Sequence, residues 1–243
     1  MNSWLRLLFL ALVPLLPLPA MAFCSEPQPR LVCAEYFARQ LVVEATLIQI
    51  NELHDKDDPE YVSAHVYTLR LNQAFRGKIA GTIRVYEGND SGRAPFDWVA
   101  GREYLLFLFY AASEKSWELD GCGNSGPLSE AKLALSEIAT IKAARGGGVI
   151  HGVVRDSEEL PFTVIPGVRV EAQGATGRYS ATTNEKGEFQ MDVPAGKYTV
   201  HAVGNGLFFD RALFSYEDPS NIHIEPGGCA QVEFAKVARP PAR

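Results

Sequence analysis

From Gly146 to Val203 the chain runs in short apolar–polar alternations, broken at close intervals by Gly, Pro and Asn. This pattern constrains the fold more than any other feature. The runs are Val149-Ile150-His151-Gly152-Val153-Val154, Val168-Arg169-Val170-Glu171, Phe189-Gln190-Met191-Asp192 and Lys197-Tyr198-Thr199-Val200. A period of two puts alternate side chains on opposite faces of a strand, so each run reads as a strand with one face buried. Pro166-Gly167, Asn184 to Gly187 and Pro194-Ala195-Gly196 supply the turns. Several short strands with such punctuation predict a β-sandwich. Phe189, Tyr198 and Val200 are expected in its core, with Glu188, Lys197 and Thr199 facing outward. Ile222 to Ile224 and Ala230 to Phe234 read as the last strands, and 238–243, with Pro240 and Pro241, as a loose tail.

Upstream, a helical turn is expected over Leu31 to Arg39, then strands at Leu41 to Ile50, Val66 to Leu71, Thr82 to Tyr86, Tyr104 to Tyr110 and Trp117 to Asp120. The near-continuous apolar start of the first strand predicts burial on both faces early and alternation later. After Pro127 the period changes. Leu128, Ala131, Leu135, Ile138 and Ile141 recur at three- and four-residue steps, the stripe of an amphipathic helix, with Ser129 and Glu130 at its start and Gly146 at its end. Gly146-Gly147-Gly148 then reads as a linker. The expected organisation is all-β, with a first domain over 23–145, a linker over 146–148 and a sandwich over 149–237.

The first 22 residues stand apart. Arg6 is the only charge, Leu7 to Leu18 is apolar, and Ala20-Met21-Ala22 offers a small-x-small cleavage site. This reads as a secretory signal: the apolar core is too short for a membrane span and contains Pro14 and Pro17. Phe23 before Cys24 does not suit lipoprotein acylation. No later apolar run is long enough to span a bilayer. The expected location is therefore the periplasm or the cell exterior. Losing Arg6 makes the formal net charge of −6 more negative, which argues against nucleic acid and anionic lipid as partners. Cys24, Cys33, Cys122 and Cys229 remain, an even set that in an exported chain implies two disulfides, with three pairings open.

Two resemblances follow from the order of these pieces. The sequence from Gly148 to Lys236 resembles the carboxypeptidase regulatory-like domain, which implies a seven-stranded transthyretin-like sandwich that accompanies other domains and carries no catalytic residues. The stretch from 24 to 145 combines an early cysteine pair, Ala74-Phe75-Arg76-Gly77, Gly101-x-x-Tyr104-Leu105-Leu106-Phe107 and Cys122-Gly123-Asn124-Ser125-Gly126-Pro127-Leu128. It resembles the netrin-like module shared with tissue inhibitors of metalloproteinases, which implies a five-stranded OB-type barrel with a terminal helix. That resemblance also implies a bridge from the leader to Cys122, with Cys33 preferred and Cys24 as the alternative. The other leader cysteine would then reach Cys229.

Catalytic constellations are sparse. His54, His65, His151, His201 and His223 show no i, i+4 helical pair, and all but His54 fall in expected strands. Asp55, Asp57, Asp58 and Glu60 crowd one loop without calcium-loop spacing. Ser125 is not in a nucleophile elbow, so a turn or capping role is expected. The glycines at 146–148 lack the Lys-Ser/Thr of a phosphate loop. Trp98, Tyr104, Phe107, Phe109, Tyr110 and Trp117 read as core packing. Phe208 and Phe209, expected in a loop, form with Phe214 and Tyr216 a candidate contact patch. The expectation is a non-enzymatic extracytoplasmic binding or accessory protein, without cofactor or metal, meeting a protein or glycan of the cell envelope. The alternative is a protease inhibitor of netrin-like type. Inhibitors of that family present an N-terminal cysteine, whereas cleavage after Ala22 leaves Phe23 first.

Overall fold

The computed structural model describes residues 29–238 except 91, 145, 160, 205 and 214. The expected signal sequence, Cys24 and Phe214 lie outside the described residues. The first unit comprises α1 (Val32–Ala38), β1 (Leu41–His54), β2 (Val62–Arg76), β3 (Thr82–Gly88), β4 (Glu103–Ala111), β5 (Ser116–Leu119), β6 (Gly126–Pro127) and α2 (Lys132–Ala143). Its strands pair in the order β1-β2-β3-β5-β4-β6, and β1 also pairs with β4, so the sheet closes on itself. All of these pairings are antiparallel except that of β3 with β5, at Val85 and Trp117.

Inside the closed sheet, Leu41, Val43, Ala45 and Leu47 of β1 meet Leu69, Ile83, Val85, Tyr104, Leu106 and Leu108. The opposite faces of β1 and β4 are covered too: Val42, Leu105 and Phe107 pack against Tyr36 of α1 and Ile138 and Ile141 of α2. Burial on both faces explains the unbroken apolar run at 104–108. In β1 the early burial is as expected, but the later part does not alternate. Ile48 to His54 is exposed on both faces, because β4 accompanies β1 only as far as Thr46.

The helix stripe forms α2, but its start differs from the expectation. Ser129 and Glu130 lie in a preceding turn, in which the Glu130 N–H donates to Pro127 O. Ala131 takes the N-cap position without a side-chain cap, and the C-cap is Ala144 rather than Gly146.

The second unit comprises β7 (Gly148–Arg155), β8 (Arg169–Gly174), β9 (Gly177–Thr182), β10 (Glu188–Val193), β11 (Gly196–Val203), β12 (Phe208–Arg211), β13 (Ile222–Ile224) and β14 (Cys229–Val237). Two four-stranded sheets, β10-β7-β14-β12 and β13-β11-β8-β9, face each other. The expected seven strands become eight because Phe208 and Phe209, read as loop, belong to β12 on the edge of β14. The core contains Phe189, Tyr198 and Val200 as expected, with Ile150, Val154, Val170, Ile222, Val232 and Phe234. Lys197 and Thr199 are exposed and Glu188 is half-buried. The Tyr198 hydroxyl donates to Pro194 O at 2.7 Å, so the ring's polar tip is satisfied.

The glycine stretch is not slack. β7 already opens at Gly148, and the Gly227 N–H donates to Gly147 O at 2.9 Å. A Cβ on Gly148 would overlap Gly228 O, so these glycines permit close backbone approach.

Candidate functional site

The most elaborate polar structure lies where the two units meet. α1 delivers Cys33 to Cys229, the first residue of β14, and the two form a disulfide with a Cα–Cα distance of 5.7 Å. This overturns the preferred Cys33–Cys122 bridge. α1 packs against α2 and against β14, and it is this docking of the two units that sets the choice of partner. Cys122 is also oxidised. The clamp between leader and sandwich therefore exists, made by Cys33.

Around this bond the side chains pair across the joint. The Leu31 N–H donates to Gln231 Oε1 at 2.8 Å, and Gln231 Nε2 donates to Pro29 O at 3.3 Å. Arg76 Nη2 donates to Glu225 Oε1 at 2.7 Å and also holds Phe37 O, while its Nε holds Arg39 O. One arginine thus closes the C-terminal end of α1 and reaches the sandwich.

Beneath α1 lies a buried ionic cluster. Glu35 is fully buried, and its Oε2 accepts from the Asn124 N–H at 2.6 Å and from Asn124 Nδ2 at 2.8 Å. Asn124 Nδ2 also donates to Arg30 O. Arg39 Nε donates to Glu35 Oε1 at 3.4 Å. Arg30 Nη1 and Arg39 Nη2 both donate to Asp120 Oδ2, at 2.7 and 3.1 Å. Burial alone would raise the Asp120 carboxyl, but Arg30, the Cys122 N–H and Arg39 hold it below its usual range. Gly123 permits this close approach, since a Cβ there would overlap Glu35 Oε1.

Tyr216 caps the cluster from the sandwich side. The Arg30 guanidinium lies 4.1 Å from the centre of its ring and that of Arg39 5.5 Å. Its hydroxyl is buried without a hydrogen-bond partner among the described residues, and burial raises its pKa. Next to it burial pushes Glu217 up to about 7, against a lowering contribution from a backbone hydrogen bond with Gln231. Glu217, Asp218, His223 and Glu225 line a cavity of about 210 Å³ with Phe37, Ala38 and Cys229.

The expected contact patch is not one surface. Phe208 is exposed and Phe209 packs on the sandwich core, while Tyr216 is drawn into the joint. Phe208 pairs with Val237, whereas the Glu217 N–H donates to Gln231 O, which separates the two ends by roughly 20 Å along β14.

Other candidates resolve into local structure. The Ser125 hydroxyl accepts the Phe107 N–H at 2.9 Å, standing in for a strand partner rather than a helix cap. Asp55 Oδ1 accepts the N–H groups of Asp57 and Asp58, which shapes the turn between β1 and β2. His65 stacks on Tyr67, and Tyr67 on Trp98, which contacts Tyr104 and Phe96. His151 is lowered by burial, offset in part by Asp192. Among the described residues no three His, Cys, Asp or Glu side chains converge as a metal site would require. Also among them, no helix is long and apolar enough to cross a membrane.

Sequence reasoning missed Arg30, Glu35, Asp120, Asn124 and Gln231. The i, i+4 spacing of Glu35 and Arg39 was a legible signal, but their partners come from more than eighty residues away.

Two facing four-stranded sheets define the second unit as a β-sandwich, preceded in the chain by the closed sheet. Residues 149–234 match the family model of the Carboxypeptidase regulatory-like domain, and that domain is present in this chain. No curated protein matches the sequence. Among solved structures, the Bacillus anthracis TIE protein aligns over 80% of this chain at 13% identity with a TM-score of 0.29, and this chain spans 31% of its length. GBS52, the minor pilin of the Gram-positive pathogen Streptococcus agalactiae, aligns over 84% of this chain and 87% of its own at 14% identity, also with a TM-score of 0.29.

Proposed function

We propose that the protein is a non-enzymatic accessory or binding protein of an exported compartment, acting through protein or carbohydrate contacts. The observation that carries this reading is the joint. Arg30, Glu35, Arg39, Asp120, Arg76 and Glu225 are committed to one another there and a disulfide runs beside them, which supports a structural joint between the two units. A structural bridge between distant chain segments also suits an oxidising location. The second unit, as a carboxypeptidase regulatory-like domain, belongs to a type that accompanies functional partners. For the first unit we read an OB-type barrel of netrin-like kind. The closed circuit β1-β2-β3-β5-β4 with its parallel β3–β5 step supports that reading, as do the helices packed on its β1–β4 side.

The test is affinity capture from an envelope extract with the oxidised chain, alongside a panel of turnover assays. One partner retained through stringent washing supports the reading. An activity that survives purification and disappears on a single substitution defeats it. Intact mass of the exported protein tests the netrin-type inhibitor reading separately: a chain beginning at Cys24 favours it, and one beginning at Phe23 lacks the N-terminal cysteine that inhibitors of that family present.

A further inference from the structure

The β13-β11-β8-β9 sheet has one face in the sandwich core and one face in solvent. Val170 and Ala172 of β8 and Tyr198 and Val200 of β11 point into the core, so the alternate residues point outward. These outward residues pair in rows across the sheet. Arg169 stands between Thr182 and Val203, Glu171 between Ser180 and His201, and Gln173 between Arg178 and Thr199. One step further, Lys197 pairs with His223. Each successive row thus carries a basic side chain, along about 20 Å of strand. All of these residues except Glu171 are exposed.

Glu171 is the one acid among them, and it is shared. Arg169 Nη2 lies 2.8 Å from its Oε1, while Arg178 Nη1 and His201 Nε2 lie 3.7 and 3.9 Å from its Oε2. One carboxylate therefore fixes two guanidiniums at the centre of the face and cannot neutralise both. Their side chains stay 58% and 60% exposed, and each guanidinium keeps further N–H donors for another acceptor. With Lys197 the face is positive, on a chain whose formal net charge is −6. A polyanion is repelled elsewhere and drawn here. On the β13 side His223 also lines the joint cavity with Asp218 and Glu225, which ends the positive area.

We propose that this face binds an extended carboxylated polysaccharide lying along the strands. This rests on the functional reading above, in which the protein acts through carbohydrate contacts, and names the ligand class. Glu171 is the chain's own example of the group that Arg169 and Arg178 hold, and the planar guanidinium fork matches a second carboxylate in the same way. Thr182, Ser180, Gln173 and Thr199 stand between the basic side chains and offer hydroxyls and an amide to sugar hydroxyls. Other polyanions fit less well. The face has no aromatic side chain on which a nucleobase would stack. A protein partner needs a central apolar or aromatic anchor, and the one apolar side chain here is Val203, at the end of the face. Arg169, Arg178 and Lys197 fall short of the roughly four to eight Lys and Arg that hold a protein on anionic lipid.

The experiment uses the full oxidised chain, with hexagalacturonate, its methyl ester, a hexaglutamate peptide and a single-stranded oligonucleotide as probes. Calorimetric titration at about 20 mM salt is run on the wild type and on Arg169→Gln with Arg178→Gln. Arg84→Gln with Lys132→Gln makes the same charge change at exposed positions of the first unit and is the control. Hexagalacturonate should bind the wild type and its methyl ester should not. The affinity should fall about ten-fold in the Arg169 and Arg178 variant, stay within about two-fold in the control, and weaken as salt is added. Lys197→Gln, which leaves Glu171 and its partners intact, should weaken binding about two- to three-fold and keeps the test open if the double variant unfolds. A wild type that does not bind hexagalacturonate overturns the proposal. So does binding that the face variants and the control reduce equally. Tighter binding of the hexaglutamate peptide or the oligonucleotide reassigns the face to another polyanion and equally overturns it. Envelope capture separates this from the wider reading: a partner retained equally by the wild type and the Arg169 and Arg178 variant defeats the polysaccharide face and leaves the accessory role standing.

Discussion

The sandwich core and the domain joint hold the same chain together by opposite means. In the core, Ile150, Val170, Phe189, Tyr198, Val200 and Val232 exclude water without a charge among them. In the joint, Arg30 and Glu35 are buried, Arg39 and Asp120 are partly exposed, and these groups and Tyr216 are held by ionic, hydrogen-bonding and cation–π contacts beside one covalent bond. Apolar burial is non-directional and scales with area, so substitutions of similar volume are tolerated. A buried ionic cluster is directional. Removing one member strands the others, and the free energy it contributes depends on pH and redox state. The core therefore sets whether the second unit folds. The joint sets whether two units behave as one.

The sharpest way to break this contrast is at the disulfide. Cys33→Ser with Cys229→Ser opens a loop of sequence separation 196, for which the chain-entropy model gives about 5 kcal/mol. Denaturant unfolding should change from one transition to two, with proteolysis newly detected near 145–148. A single undiminished transition would show that the ionic contacts suffice. Next, Tyr198→Ala removes a buried ring and its bond to Pro194, at a cost of about 3–5 kcal/mol by the large-to-small rule. The loss should appear in the sandwich transition alone, and a loss below about 1 kcal/mol would mean that the ring is not part of the core.

Glu35→Gln tests the cluster. The neutral amide cannot serve Arg39, Arg30, whose Nη1 lies 3.7 Å from Glu35 Oε1, and Asn124 together, and about 2–3 kcal/mol should be lost from the joint, measured by the same unfolding curves. The smallest effect concerns pH. Burial lifts Glu217 in the folded state to about 7, above its ordinary 4.5. The folded chain thus keeps this proton to higher pH than the unfolded chain. The stabilisation is fully present below pH 4.5 and is lost as pH rises through about 7. Glu217→Gln should flatten that decline and leave the variant more stable than wild type at pH 8, as pH-dependent unfolding curves would show. Asp120 carries the opposite sign: its contribution is present above its ordinary 3.8 and disappears as pH falls below it.

The core was largely readable because a strand's side-chain period is a local property. Phe189, Tyr198 and Val200 announce their faces within a few residues, and the stripe of Ala131, Ile138 and Ile141 does the same for α2. The joint was not readable, because its geometry arises only after both units dock. Cys33 could be placed next to Cys122 by analogy, yet its partner depends on where β14 begins. Tyr216 looked like a surface aromatic because nothing nearby in sequence reveals Arg30 and Arg39 above its ring. β12 was missed for a different reason. Its four residues are too short to show a period, and the strand exists because β14 offers an edge.

The bridge between Cys33 and Cys229 also dictates an order of events. When the chain is delivered from its N-terminus, α1 and the first unit emerge long before β14. Until then the Cys33 thiol waits without its partner while Cys122 has already appeared. An incorrect Cys33–Cys122 link can form in that interval, as long as Cys122 is still free, and the native Cys33–Cys229 bond cannot. A link of that kind has to be reshuffled by thiol–disulfide exchange before Cys33 can reach Cys229.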